Sequence, residues 1–257
     1  MNILKNLLNL RIIFLATVII FLTAPDIYSK DYCDNCHKDN KFRVQNKVLY
    51  DYYNYWRDSV HDSAMISCTD CHGGDETKAD KDAAHKSKGF SSLSAMDDLS
   101  YKKIPEICGK CHKEVLKYYM ASKHYKILME GKNSPNCVTC HGSMNTEIYE
   151  AHNIAKGCST CHNEERNETP EVSEKAKDLL RHINFIRFYK KWVQINMTDE
   201  KPDIVEDINK QYRGIVFSWH QFDFKKLDEK TTKLVTDLRT IVKKGMAERK
   251  KKRMKRK

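Results

Sequence analysis

Five times along this chain, two cysteines spaced three apart are followed at once by a histidine. The motifs are CDNCH (Cys33, Cys36, His37), CTDCH (Cys68, Cys71, His72), CGKCH (Cys108, Cys111, His112), CVTCH (Cys137, Cys140, His141) and CSTCH (Cys158, Cys161, His162). They use all ten cysteines. A Cys pair at this spacing serves a redox disulfide, half of a zinc site, or the anchorage of a covalently bound haem. A disulfide scaffold has no reason to place a histidine after every second cysteine, and a zinc ribbon pairs its CxxC units without one. Haem attachment needs the histidine. Two thiols reach the two vinyl groups on one haem edge, and the next residue turns its imidazole to the iron as proximal ligand. The sequence therefore predicts five covalently bound haem c groups.

That prediction decides the fold class. From residue 30 to 166 ordinary apolar residues are sparse, so this segment cannot bury a conventional core and porphyrins must supply it. The expected architecture is mostly α: a multihaem body of loops and short helices around five haems, followed by three long C-terminal helices. Residues 78–88, KADKDAAHKSK, read as an exposed polar loop.

After Asn167 cysteine disappears and helical periodicity takes over. Thr169 as N-cap and Pro170 at the first helical position open a helix whose face carries Val172, Ala176, Leu179, Ile183, Ile186 and Val193. A second helix from Pro202 aligns Ile204, Ile208, Tyr212, Ile215 and Trp219. A third, capped by Asp223, aligns Phe224, Leu227, Leu234, Leu238 and Ile241. These helices are expected to pack on each other and on the haem body, or to join two copies of the chain in a homo-oligomer.

The N-terminus is set apart from the fold. Lys5 and Arg11 precede an apolar run from Ile12 to Ala24, and Ile27-Tyr28-Ser29 offers a cleavage site, so residues 1–29 read as a secretory signal peptide, with retention as a membrane anchor the alternative. Either outcome puts the remainder in the periplasm or another extracytoplasmic space. The organisation expected is thus 1–29 signal, 30–166 pentahaem domain, 167–249 helical segment and 250–257 basic tail.

Net charge needs the cofactors before it can be read. Without residues 1–29, which carry Lys5, Arg11 and Asp26, the formal charge falls from +11 to +10. Ten propionates and five ferric centres bring it to about +5 oxidised and about zero reduced. The surplus is local: Lys244 to Lys257 holds nine basic residues against Glu248. The run reads as a solvated, disordered end or as a dock for an anionic membrane surface or an acidic partner, and not as a nucleic-acid site.

Function turns on the far side of each iron, since a second strong ligand leaves only electron transfer. Six further histidines are candidates for that position: His61, His85, His124, His152, His182 and His220. His61, His124 and His152 each precede a motif closely enough to reach a neighbouring haem. His85 sits among lysines, His182 beside the apolar stripe of the first long helix, and His220 next to Trp219. Methionine is an alternative axial ligand, and Met65, Met129 and Met144 lie near motifs.

The segment SKHYKILMEGKNSPNCVTCHGSMN resembles the S-x-H…G…P-x-C-x-x-C-H-G segment of a group of multihaem cytochromes. That group includes the tetrahaem cytochrome of ammonia oxidisers, octahaem hydroxylamine oxidoreductase and pentahaem nitrite reductase. SVHDSAMISCTDCHGG repeats the pattern more loosely. The resemblance covers about residues 30–165 and implies stacked haems, distal roles for His61 and His124, and exchange of electrons with nitrogen- or sulfur-cycle enzymes. Where relatives with C-H-G-x-H place a further ligand, this chain has Met144, and none of its motifs is the CxxCK of the nitrite reductases. The function expected is a relay of electrons between redox partners, with no catalytic residue. The alternative is a small oxidoreductase acting on nitrite, hydroxylamine or a sulfur oxyanion at one five-coordinate haem.

Overall fold

The computed structural model describes residues 31–86, 98–146, 151–166 and 169–255. The signal-like segment, 1–29, lies outside them. Among the described residues every regular element is helical, and no helix is long and apolar enough to cross a membrane. The chain divides into two compact units. The first holds 31–51 and 68–86, and the second holds 52–67 with the described residues from 98 onward.

Short helices come first: α1 (Tyr32–His37), α2 (Lys41–Gln45), α3 (Lys47–Arg57), which carries the chain from the first unit into the second, α4 (Val60–Ser63), α5 (Cys68–His72) and α6 (Lys81–His85). None of these six contains a buried residue. What ties the first unit together is polar. Asp31 caps α1 by accepting the Asp34 N–H at 3.1 Å, the Tyr32 N–H donates to the Glu76 carbonyl at 2.9 Å, and the Thr69 hydroxyl donates to the Glu76 carboxylate at 2.8 Å. The polar stretch expected to be a loop contains α6, because Asp80 caps it by accepting the Ala83 N–H at 2.9 Å. That turn brings the His85 ring to face His37.

The second unit continues with α7 (Asp98–Gly109), α8 (Lys113–Met120), α9 (Lys123–Met129), α10 (Cys137–His141), α11 (Ala151–Ser159) and a 3-10 turn at Glu164–Arg166. Three long helices close the chain: α12 (Glu171–Met197), α13 (Pro202–Trp219) and α14 (Phe224–Met254). The three expected helices are therefore present, and their apolar faces form a core. Ala176, Leu179, Ile186 and Val193 of α12 meet Ile208, Ile215 and Trp219 of α13 and Leu227, Leu234 and Leu238 of α14, with Ile154 of α11 joining them. Gly245 lets α14 approach α12, since a Cβ there would lie 2.7 Å from the Trp192 ring.

Three details differ from expectation. Val205 takes the buried place in the first turn of α13 and Ile204 is exposed, because the core meets that helix one residue further round. Asp223 caps α14 as expected, accepting the Lys226 N–H. Pro170 has helical dihedrals as expected, but the Thr169 hydroxyl lies 3.4 Å from His162 Nδ1 instead of capping α12. The basic run, expected to be structureless, continues α14 to Met254, and Lys252 pairs with Glu200 at 2.9 Å. Lysine and arginine are good helix formers, and adding turns to a helix already fixed by packing costs little.

Candidate haem-binding centre

Each of the five motifs is wound as a helical turn. CDNCH, CTDCH and CVTCH lie wholly within α1, α5 and α10. CGKCH and CSTCH run off the ends of α7 and α11, yet keep the turn: the His112 N–H donates to the Cys108 carbonyl at 3.0 Å and the His162 N–H to the Cys158 carbonyl at 2.9 Å. Residues i, i+3 and i+4 of such a turn share one face, so both thiols and the imidazole of every motif lie on the same side.

Four of the six remaining histidines are brought to these turns. His37 faces His85 with ring centres 6.3 Å apart, His112 faces His61 at 6.2 Å, His162 faces His124 at 6.1 Å, and His141 faces His220 at 6.2 Å. Each pair joins one motif histidine to one histidine outside the motifs, and each lies within a single unit. A metal–imidazole bond of about 2.0–2.1 Å, plus the ~1.1 Å from nitrogen to ring centre, doubled across a shared metal ion, gives roughly 6.2–6.4 Å. The four spacings fit a metal ion held between the two rings.

Local structure explains how the partners get there. Ser59 and Ser122 are buried N-caps that accept the N–H groups of His61 and Asp62, and of Tyr125. In each case the histidine follows its cap by two residues, which is the S-x-H of the sequence given a mechanical role: the cap starts a short helix whose first turn presents the imidazole. The Ser134 hydroxyl adds a bond to the His124 carbonyl at 2.8 Å. His220 ends α13, and its Nδ1–H donates to the Val216 carbonyl at 2.9 Å. That bond fixes the tautomer and leaves Nε2 as the bare nitrogen, the arrangement metal-binding histidines use.

Burial lowers four of these histidines, which favours the neutral form that a metal ligand needs. His220 is pushed down to about 4, mainly by burial and further by His141 and His112. His37, His61 and His124 are also lowered, in each case first by burial and then by a facing histidine, with His72 adding to the effect on His37. The ring nitrogens Nδ1 of His124 and His182 are buried without a hydrogen-bond partner. A group that supplied the missing partner would recover the cost of burying them.

The thiols argue in the same direction. None of the ten cysteines is in a disulfide. Burial pushes Cys33 and Cys140 up to about 11 and Cys68 up to about 12, the reverse of the lowered thiol that a redox CxxC needs, whereas the hydrogen bond with Cys137 lowers Cys108. No group of three or more His, Cys, Asp or Glu side chains suited to a metal ion occurs among the described residues, which leaves no zinc site of that kind. Cys137 hydrogen-bonds Cys108, and this contact, with burial, raises the Cys137 thiol well above its usual value. It also brings the anchors of the third and fourth motifs together. Cys158 acts electrostatically on Cys140 and Cys33 on Cys68, so the fourth and fifth motifs and the first and second also have cysteines near one another, without a hydrogen bond between them.

Not every candidate is placed at a turn. The side chain of His152 lies outside the described residues. His182 sits half-buried on α12 beside Ile183. Met65 is 91% exposed, and Met129 is also exposed. The sequence reading missed the caps Ser59 and Ser122 and the partners Thr146 and Thr169. The repeated S-x-H was the available signal for the first two.

Compared with known proteins, the chain matches no protein-family model, no curated protein and no solved structure.

Proposed function

We propose that this chain is a five-haem c-type cytochrome that relays electrons between redox partners outside the cytoplasm. The observation that carries the reading is the set of four facing histidine pairs at 6.1 to 6.3 Å, each made of one motif histidine and one other. Chance packing has no reason to choose that combination four times. When bound, haem supplies a one-electron iron couple.

The chain's own residues do the rest. Cys33 and Cys36, Cys68 and Cys71, Cys108 and Cys111, Cys137 and Cys140, and Cys158 and Cys161 each hold one haem by thioethers. His37, His72, His112, His141 and His162 are its proximal ligands. His85, His61, His220 and His124, which face His37, His112, His141 and His162, would supply the second ligands of four haems, and His152 and His182 complete the candidate set. Two imidazoles on an iron exclude substrate, which favours relay over catalysis. The nearness of anchor cysteines from different motifs supports closely spaced haems, as a relay requires. The resemblance to the multihaem cytochromes of nitrogen metabolism points to redox enzymes of that kind as donor and acceptor.

Electron paramagnetic resonance of the oxidised holoprotein tests this. Low-spin signals alone, unchanged by nitrite, hydroxylamine or cyanide, are expected. A high-spin signal that shifts with one of these ligands would replace the relay with an oxidoreductase acting at an open haem.

The basic end of α14 is proposed as a docking element for an anionic surface, either membrane or acidic protein. Changing Lys250, Lys251, Lys252 and Arg253 to glutamine is expected to weaken binding to anionic vesicles or partner at low salt, with the difference vanishing at high salt. Unchanged binding at low ionic strength would discard it.

A further inference from the structure

The fourth motif, CVTCH, is followed five residues later by Thr146, whose backbone φ is +39°. A β-branched residue seldom adopts this left-handed conformation, and such strain persists only where the surroundings hold it. What holds Thr146 is on the other side of the site. Its hydroxyl lies 3.0 Å from Nδ1 of His61, across 85 residues of sequence. His61 in turn faces His112 of the third motif. The strained residue and the axial histidine are thus joined by one hydrogen bond, and the loop behind one motif reaches the facing ring of another.

His220 shows what such a bond is for. There the Nδ1–H is taken by a carbonyl one turn back in the same helix, so α13 orients its own histidine. His61 lies in the first turn of α4, where no residue four positions back in that helix can offer a carbonyl. Its orienting group has to come from elsewhere.

Resting on the haem reading above, we infer that Thr146 is the positioning residue of His61. Its hydroxyl accepts the Nδ1 proton, leaves Nε2 to the iron anchored at Cys108 and Cys111, and couples the loop of the fourth haem to the axial ligand of the third. Removing a hydrogen-bond acceptor from Nδ1–H makes an imidazole a weaker donor to its metal, which stabilises the reduced iron. Removing it also frees the ring to turn from its 60° angle to His112.

The test is a redox titration with low-temperature electron paramagnetic resonance on purified holoprotein carrying Thr146→Val, Thr146→Ser or Thr146→Gly, with haem content fixed first by intact mass. Thr146→Val keeps the shape and loses the hydroxyl. It is expected to raise one of the five midpoint potentials and to move one low-spin signal. Thr146→Ser keeps the hydroxyl and restores both. Thr146→Gly relieves the backbone but lacks the hydroxyl, so it is expected to behave like the valine variant. Five haems with potentials and spectra of the valine variant equal to the wild type would overturn the positioning role and leave the cytochrome reading standing. A glycine variant matching wild type while valine differs would assign the effect to backbone strain and also overturn it. A wild-type protein without covalent haem would instead remove the reading beneath the inference.

Discussion

The first six helices and the last three are built on opposite terms. From Tyr32 to His85 no helical residue is buried, whereas α12, α13 and α14 bury Ile186, Val193, Ile208, Ile215, Leu234 and Leu238 almost completely. The long helices fold as ordinary amphipathic helices do, by covering one face with another. The early segment has turns, caps and polar ties but no apolar interior of its own. Four of its six helices carry cysteine or histidine, and the segment has almost no leucine, the pattern expected under the haem proposal. The difference teaches that the two regions must respond differently to the loss of cofactor and to the loss of a side chain.

The largest effect is expected from removing an anchor pair. Cys33→Ala with Cys36→Ala should cost one haem and leave residues 31–51 and 68–86 open to proteolysis while the long helices stay protected. Equal digestion of both regions would break the contrast. Next comes Leu238→Ala, a truncation at a fully buried site, which should destabilise the helical segment by about 2–5 kcal/mol in denaturant titration and leave the haem count unchanged. Loss of haem in that variant would mean the two regions do not fold independently.

Smaller effects sharpen the comparison. Ser122→Ala removes a buried cap and should cost about 0.5–2 kcal/mol, with the low-spin signal of the haem at His162 altered as His124 shifts. Ring planes meet at 83°, 60° and 64° in three pairs and at 26° between His141 and His220. The angle between axial imidazole planes sets how far the ferric d orbitals split. Three haems should therefore give strongly anisotropic low-spin signals and the haem at His141 a rhombic one. Lys252→Ala, which breaks an exposed ion pair with Glu200, should change stability by less than about 1 kcal/mol.

How much of this was legible in the sequence follows from what kind of signal each feature leaves. The three long helices were legible because a stripe at helical spacing is a strong pattern, and Asp223 was legible as a cap because its side chain has a fixed local job. Ile204 and Val205 were confused because neighbours on a helix differ by one step around its axis, and only the packing partner decides which faces in. His85 was a candidate set among lysines with no turn expected around it, and the aspartate that caps its turn counts only once the turn exists. The basic end looked structureless because charge was weighed and the helix feeding it was not. Thr146 left no sequence signal, since its partner lies 85 residues away.

Intact mass spectrometry of the chain purified from a host competent in c-type cytochrome maturation tests the central claim most directly. The account predicts a red protein heavier than its polypeptide by five haem masses, with the increment falling by one haem for each cysteine pair removed. A colourless protein with the mass of the bare polypeptide would contradict it.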